Sequence, residues 1–382
     1  GHYLGILEGT DFPPFILHTK LFYTYYLCAQ KRTEAALALH NDLLRQVEQL
    51  AFPGQSSRFY MIYAKIFFYN GEFDRCDTYL KRSFAVARHA ELITYANWHP
   101  ELVVWACQRA LLLGIESDYV NRFVEIHYDN LPQPDSKCQH WPWPFRIVTF
   151  GGFELKTKHG VIHQRQRAGK SFTLLKTLVK TQDRHLTSEA IKGMLYPDDD
   201  SEKTSQLLDT QIHRLRKLLG NEQTILRQGD SIKLHFKYFW IDTREFEMLG
   251  KQHVTTENAL EVATRLQELY KGEYLPDDEV IEVIARRERY RNMYLATLFK
   301  CIDHMEIQTN TAVEICQNAL ILEPLSEPLY RKLMSVYLRQ GNRDMAEATL
   351  EQCRKLVKRH LDSDVSNETL SLLKTINPLQ FS

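Results

Sequence analysis

The stretch NLPQPDSKCQHWPWP, residues 130 to 144, limits the possible folds most sharply, because four prolines in fifteen residues forbid a helix interior. Proline fixes φ and removes a backbone donor, so this segment is expected to be extended and fairly stiff. It also separates two kinds of patterning. Upstream, residues 15 to about 129 carry apolar residues at helical spacing, with no strand-like alternation of any length. Downstream, FRIVTFGGFEL alternates large apolar residues with others and holds Gly151-Gly152, the pattern of strand, bend, strand. A domain boundary is therefore placed in the proline-rich stretch.

In the upstream region, FYMIYAKIFFYNGEFDRCDTYLKRSFAVARHAEL has the form helix, break, helix. Its break at Asn70-Gly71 suits a helix C-terminus, where a left-handed residue is favoured. YANWHPELVVWACQRALLLG forms a further helix ending at Gly114, and ESDYVNRFVEIHY another. Paired helices of this length suggest a divergent array of the TPR kind.

Beyond the prolines, KHGVIHQ reads as a short strand. Three helices follow: KSFTLLKTLVK, TSEAIKGMLY and SEKTSQLLDTQIHRLRKLLG. Thr187 and Ser188 sit where an N-cap belongs, and Ser201 precedes the third helix with Glu202 in its first turn. TILRQGDSIKLHF reads as two strands joined at Gly229-Asp230, a hairpin. From Asp242 the helical pattern returns, with breaks at Pro324 and Gly341-Asn342. The expected fold is mainly α, with TPR-like helical repeats flanking an α+β winged helix-turn-helix. The expected domains are residues 1–139, 140–243 and 244–382.

Length and composition agree with several domains, since 382 residues exceed one ordinary core. No run of about 18 uncharged apolar residues occurs, so no membrane span is expected. The seven cysteines are scattered without a CxxC pair, which fits reduced thiols and a cytoplasmic location. The leading Gly1-His2 reads as a cloning remnant, and the chain is expected to continue a larger protein. Net charge is zero, yet residues 141 to 240 hold 17 Lys/Arg against 10 Asp/Glu, a local excess of seven that hints at an anionic partner.

The third helix of the middle region carries the sharpest signal. At helical spacing Leu208, Ile212, Leu215 and Leu219 form one apolar stripe facing a core. On the opposite side lie Lys203, Gln206, Thr210, His213, Arg214 and Lys217. A solvated charged face is the default for such a helix. Third in a three-helix set and trailed by a hairpin, however, it has the layout of a winged helix-turn-helix, whose last helix enters the major groove. In that setting Arg214 could donate two hydrogen bonds to guanine, and Gln206 or Gln211 could read adenine. His213, Lys217 and the hairpin residues Arg227 and Lys233 would lie against phosphates. Arg216 lies nearer the stripe, where an internal ion pair competes evenly with a phosphate contact.

Other motifs point elsewhere less well. RQRAGKSF holds Gly-Lys-Ser, but a phosphate loop would need glycine where Gln164 stands. His159 and His163 are four apart but lie on a turn and strand, which favours surface histidines over a metal site. Asp198, Asp199 and Asp200 before a helix N-terminus are explained by the helix dipole. No catalytic set stands out, so neither an enzyme nor a cofactor is expected. Trp141, Trp143 and Phe145 read as an anchor packing the linker onto the middle domain, with a partner surface as the alternative.

FELKTKHGVIHQ, LLDTQIHRLRKLLG, ILRQGDSIKLHF and FWIDTREFEML together resemble the OmpR/PhoB-type DNA-binding domain in the form found in SARP-like bacterial transcriptional activators. ALEVATRLQELYKGEYLPDDE, RRERYRNMYLATL and NALILEPLSEPLYRKLMSVYLRQGNRDMAEATLEQCRKL are similar to the bacterial transcriptional activation domain, a TPR-like module. LLLGIESDYVNRFVE resembles the end of the MalT-like helical region of large ATP-dependent regulators. By this resemblance Arg214 is the base-contacting arginine, and Gln211, His213, Arg216 and Lys217 are phosphate contacts. Gln206 stands where many members carry arginine, and Ser231-Ile232 stands where the response-regulator branch has Gly-Tyr. The resemblance implies double-stranded DNA and RNA polymerase as partners, direct promoter repeats as the target, and an ATPase domain upstream. The rival expectation is a TPR-type scaffold whose winged helix docks a protein.

Overall fold

The computed structural model describes residues 13–375 apart from positions 51, 94–98, 136–137, 139, 163–168, 182–185, 198–202 and 306–309. Gln164, His163, Asp198 to Asp200, Ser201 and Glu202 thus lie outside the described residues. The chain divides into two packing units, residues 1–143 and 144–382.

The first unit is helical: α1 (Pro13–Ala29), α2 (Thr33–Leu50), α3 (Pro53–Tyr69), α4 (Phe73–His89), α5 (Pro100–Leu112) and α6 (Ser117–His127). Proline opens α3 and α5, where its missing N–H is an orphan in any case. Their ends share one closure. Glu72 N–H returns to the Phe67 carbonyl and Gly71 N–H to that of Phe68; Ile115 and Gly114 do the same toward Ala110 and Leu111. Gly71 and Gly114 take the left-handed φ (77° and 67°) that this closure requires. The pattern recurs after α1 and α4, with Lys31 and Glu91 in the left-handed position at φ 57° and 47°. A non-glycine residue there costs energy, so packing, not local preference, sets those two ends.

Trp141 packs near Tyr128, with ring centroids 6.5 Å apart, and the Trp143 indole N–H donates to the Cys138 carbonyl. Phe145, across the unit boundary, stacks on Phe239 at 5.1 Å. Both tryptophans thus have partners in their own flanking chain, and Phe145 has one in the second unit.

The second unit opens with β1 (Phe145–Val148), β2 (Glu154–Thr157) and β3 (Gly160–Val161). It continues with α7 (Lys170–Lys180), β4 (Leu186–Thr187), α8 (Ser188–Leu195) and α9 (Lys203–Leu219). The hairpin β5 (Ile225–Gln228) and β6 (Ser231–Leu234) comes next, then β7 (Phe239–Ile241). Helices α10 (Asp242–Lys251), α11 (Ala259–Leu269), α12 (Ile281–His304), α13 (Thr311–Leu322), α14 (Glu327–Arg339), α15 (Arg343–Leu361) and α16 (Asn367–Thr375) complete it. One sheet has the order β3-β2-β1-β7, with β1 antiparallel to β2 and parallel to β7. The other, β4-β6-β5, holds the wing. The helical breaks expected at Pro324 and Gly341-Asn342 separate α13, α14 and α15, and Asn342 caps α15.

Contacts run straight across the 243/244 divide. Asp242, at the first position of α10, is 1% exposed. Its carboxylate accepts from the Thr149 N–H and hydroxyl (both 2.6 Å), the Phe150 N–H (2.9 Å) and the Thr243 N–H (2.8 Å). Burial pushes its pKa up to about 6, against the pull of those donors. Phe150 then inserts among Phe246, Tyr270 and Tyr290, with centroids 4.9, 5.3 and 5.4 Å away. On the same seam Lys180 of α7 pairs with Asp278 at 2.9 Å. Arg287 of α12 donates to the carbonyls of Tyr274, Leu275, Pro276 and Asp278, which fixes the loop that carries this aspartate.

The β1–β2 bend also approaches the chain after α11 closely. Gly151 N–H donates to the Glu273 carbonyl at 2.8 Å with φ +79°, and a Cβ there would meet the Lys271 carbonyl oxygen at 3.1 Å. Gly151→Ala is expected to cost about 1–3 kcal/mol, from left-handed strain plus the close contact. Urea unfolding of the full chain, followed by far-UV circular dichroism, measures it.

Candidate nucleic-acid interface

The apolar stripe seats α9 as its spacing dictates. Leu208, Ile212, Leu215 and Leu219 are all buried. Thr204 and Gln211 join them at 5% and 6% exposure, which widens the stripe on one side. Lys203, Gln206, Thr210, His213, Arg214 and Lys217 are exposed. The Thr210 hydroxyl back-bonds to the Gln206 carbonyl at 2.8 Å, so its donor is turned toward its own helix. Among the described residues, Arg214 and Lys217 have no acidic partner within ion-pair distance.

The wing is locked beside this helix. Gly229 supplies the positive φ (58°) of the two-residue turn. At Asp230 the carbonyl accepts from the Ser188 N–H (2.8 Å) and hydroxyl (3.1 Å). Thr187 meanwhile caps α8, accepting from the Ala190 N–H at 3.2 Å. The Thr187-Ser188 pair therefore does two jobs: one residue caps a helix and the other holds the wing tip.

Four of the residues expected from the sequence to meet nucleic acid stand off that outer face. Gln211 is in the stripe, not on the outer face. Arg216 donates to the Ile225 carbonyl at 2.8 Å and lies 3.5 Å from the Glu222 carboxylate, so its guanidinium ties α9 to the wing. The internal partner prevails because the turn at residues 222–224 brings that carbonyl within reach. Arg227 is exposed on β5 but pairs with Asp209 of α9 at 2.5 Å. Lys233, on β6, is half-buried and stands opposite Leu226. Gln206, Thr210, His213, Arg214 and Lys217 remain together on one face.

His159 is exposed on the β2–β3 turn. Among the described residues no three His, Cys, Asp or Glu side chains converge on a metal position, and no helix is long and apolar enough to cross a membrane.

A helix with an apolar inner stripe and a basic, hydrogen-bonding outer face, followed by a pinned hairpin, has the form of a winged helix-turn-helix reader. Residues 165–229 match the profile "Transcriptional regulatory protein, C terminal", and residues 241–377 match "Bacterial transcriptional activator domain". The two matches, each over less than half of the chain, indicate a bacterial transcriptional regulator. Among solved structures, the chain is similar to Mycobacterium tuberculosis EmbR in complex with a low affinity phosphopeptide, at 14% identity and a TM-score of 0.46. That alignment covers 61% of this chain and 64% of the other, so it spans somewhat under two thirds of EmbR. A second similarity is to the apo form of the quorum sensor NprR from B. thuringiensis, at 10% identity and a TM-score of 0.29, covering 93% and 91%. No curated protein matches the sequence.

Proposed function

We propose that the chain binds double-stranded DNA sequence-specifically through α9 and activates transcription. The observation that carries this reading is the exposed face formed by Gln206, Thr210, His213, Arg214 and Lys217 beside a fixed wing, where Arg214 and Lys217 have no acidic partner among the described residues. Arg214 is assigned to a guanine edge, because its fork matches two acceptors there. Gln206 is assigned to an adenine, and His213, Lys217 and Lys233 to the flanking backbone. The helical module after β7 contacts RNA polymerase, the site consists of promoter repeats, and an ATPase domain in a longer form of the protein supplies the signal.

Fluorescence anisotropy of the full chain on a 30-base-pair duplex, between 50 and 200 mM KCl, tests the electrostatic part. The logarithm of affinity is expected to fall linearly with the logarithm of salt, by about 0.9 per neutralised phosphate. Lys217→Ala should weaken binding uniformly across sequences and reduce that slope by about 1. A winged helix used only to dock a protein would show no steep salt dependence with duplex DNA, and that result overturns the reading.

A further inference from the structure

Cationic groups are distributed unevenly over the two flanks of α9. Asp209 is the only acidic residue of that helix, and it pairs with Arg227 of β5 across a sequence separation of eighteen. Both side chains are about half exposed, at 56% and 45%, so the pair lies at the surface and within reach of a bound polyanion. Arg216, the other cation on this flank, is held by the Ile225 carbonyl and Glu222. Arg214, His213 and Lys217 face outward with no such counter-charge among the described residues. The wing cannot swing Arg227 away as a body, because its tip is fastened to Ser188 through Asp230. Only the Arg227 side chain can choose between Asp209 and a phosphate.

We infer that Asp209 is a specificity-determining counter-charge: it holds Arg227 against α9 and withholds that cation from the DNA backbone. The inference rests on the DNA-binding reading above. A phosphate contact adds affinity for every sequence alike and carries no information about the bases. Neutralising one cation therefore lowers the sequence-independent background while leaving Arg214 free to discriminate. An exposed ion pair is weak, so the restraint is partial: Arg227 turns to phosphate only where the duplex backbone approaches the wing closely.

The test uses four full-length proteins: wild type, Asp209→Asn, Arg227→Ala and the double variant. Each is titrated with a mixed-sequence 30-base-pair duplex over a series of KCl concentrations. Asp209→Asn is expected to bind about 3- to 10-fold more tightly at 0.1 M salt, with a slope steeper by about 0.9, as one added phosphate contact requires. In the Arg227→Ala background the same substitution should give less than half of that gain, on a logarithmic scale. Equal gains in both backgrounds would show that Asp209 acts only as a general repulsive charge, and would overturn the inference. Wild-type binding with no change on Asp209→Asn would overturn it too. Absence of salt-dependent binding by all four proteins is a separate outcome, which defeats the DNA-binding reading itself.

Discussion

Asp242→Ala is expected to destabilise the second unit by about 3–5 kcal/mol, the largest effect of any single substitution considered. The carboxylate is buried and accepts four hydrogen bonds, from Thr149 N–H and hydroxyl, Phe150 N–H and Thr243 N–H. Truncation leaves these donors without a partner, and each unsatisfied buried group costs about 1–3 kcal/mol. The sum is less than four full penalties, because the Thr149 hydroxyl can rotate and water can enter the space. Asp242 joins the end of β1 to the start of α10, so the damage should fall at that junction. Hydrogen exchange should speed up at the Thr149, Phe150 and Thr243 amides, while the apolar stripe of α9 keeps its protection. Urea unfolding with a loss under about 1 kcal/mol would show that solvent already satisfies those donors.

Arg214→Ala is expected to cost about 1–3 kcal/mol of duplex affinity and to relax specificity at a single base position. The size follows from the loss of a two-pronged hydrogen bond to one base. Arg214→Lys separates charge from geometry. It keeps the cation and so should keep most of the salt slope, yet lose the discrimination, since an ammonium offers no planar fork. Parallel titrations of one good site and its single-base variants supply the comparison. Equal affinity of Arg214→Ala and wild type across that set would remove this residue from the reading surface.

The helical elements were legible where spacing and punctuation agreed. The apolar stripe of α9, the breaks at Asn70-Gly71 and Gly341-Asn342, and the hairpin turn at Gly229-Asp230 all depend on neighbours a few residues apart. Helix periodicity and glycine's access to positive φ suffice there. What escaped the sequence involves distant partners. Gln211 lies about 60° from Leu208 on a helical wheel, at the edge of the stripe, and a polar side chain there reads as outward until packing encloses it. The Ile225 carbonyl that captures Arg216 and the Asp209 that captures Arg227 are brought close only by the fold. The parallel pairing of β1 with β7 joins Phe145 to Phe239, and no local signal marks it. Asp242 reads from sequence as an ordinary acid at a helix start. Its carboxylate is buried where it accepts from Thr149 and Phe150, and Phe150 in turn packs on Phe246, Tyr270 and Tyr290. That aromatic group also explains why no packing seam follows β7: the winged helix and the first helices after it share a core.

The outer face of α9 is proposed to read duplex sequence. Selection of bound duplexes from a randomised pool by the full-length protein, run beside the Arg214→Ala variant, tests it most directly. The wild type is expected to enrich a defined motif, and Arg214→Ala to lose preference at one position of that motif. A pool that stays random under both proteins, or an identical motif from both, would contradict it.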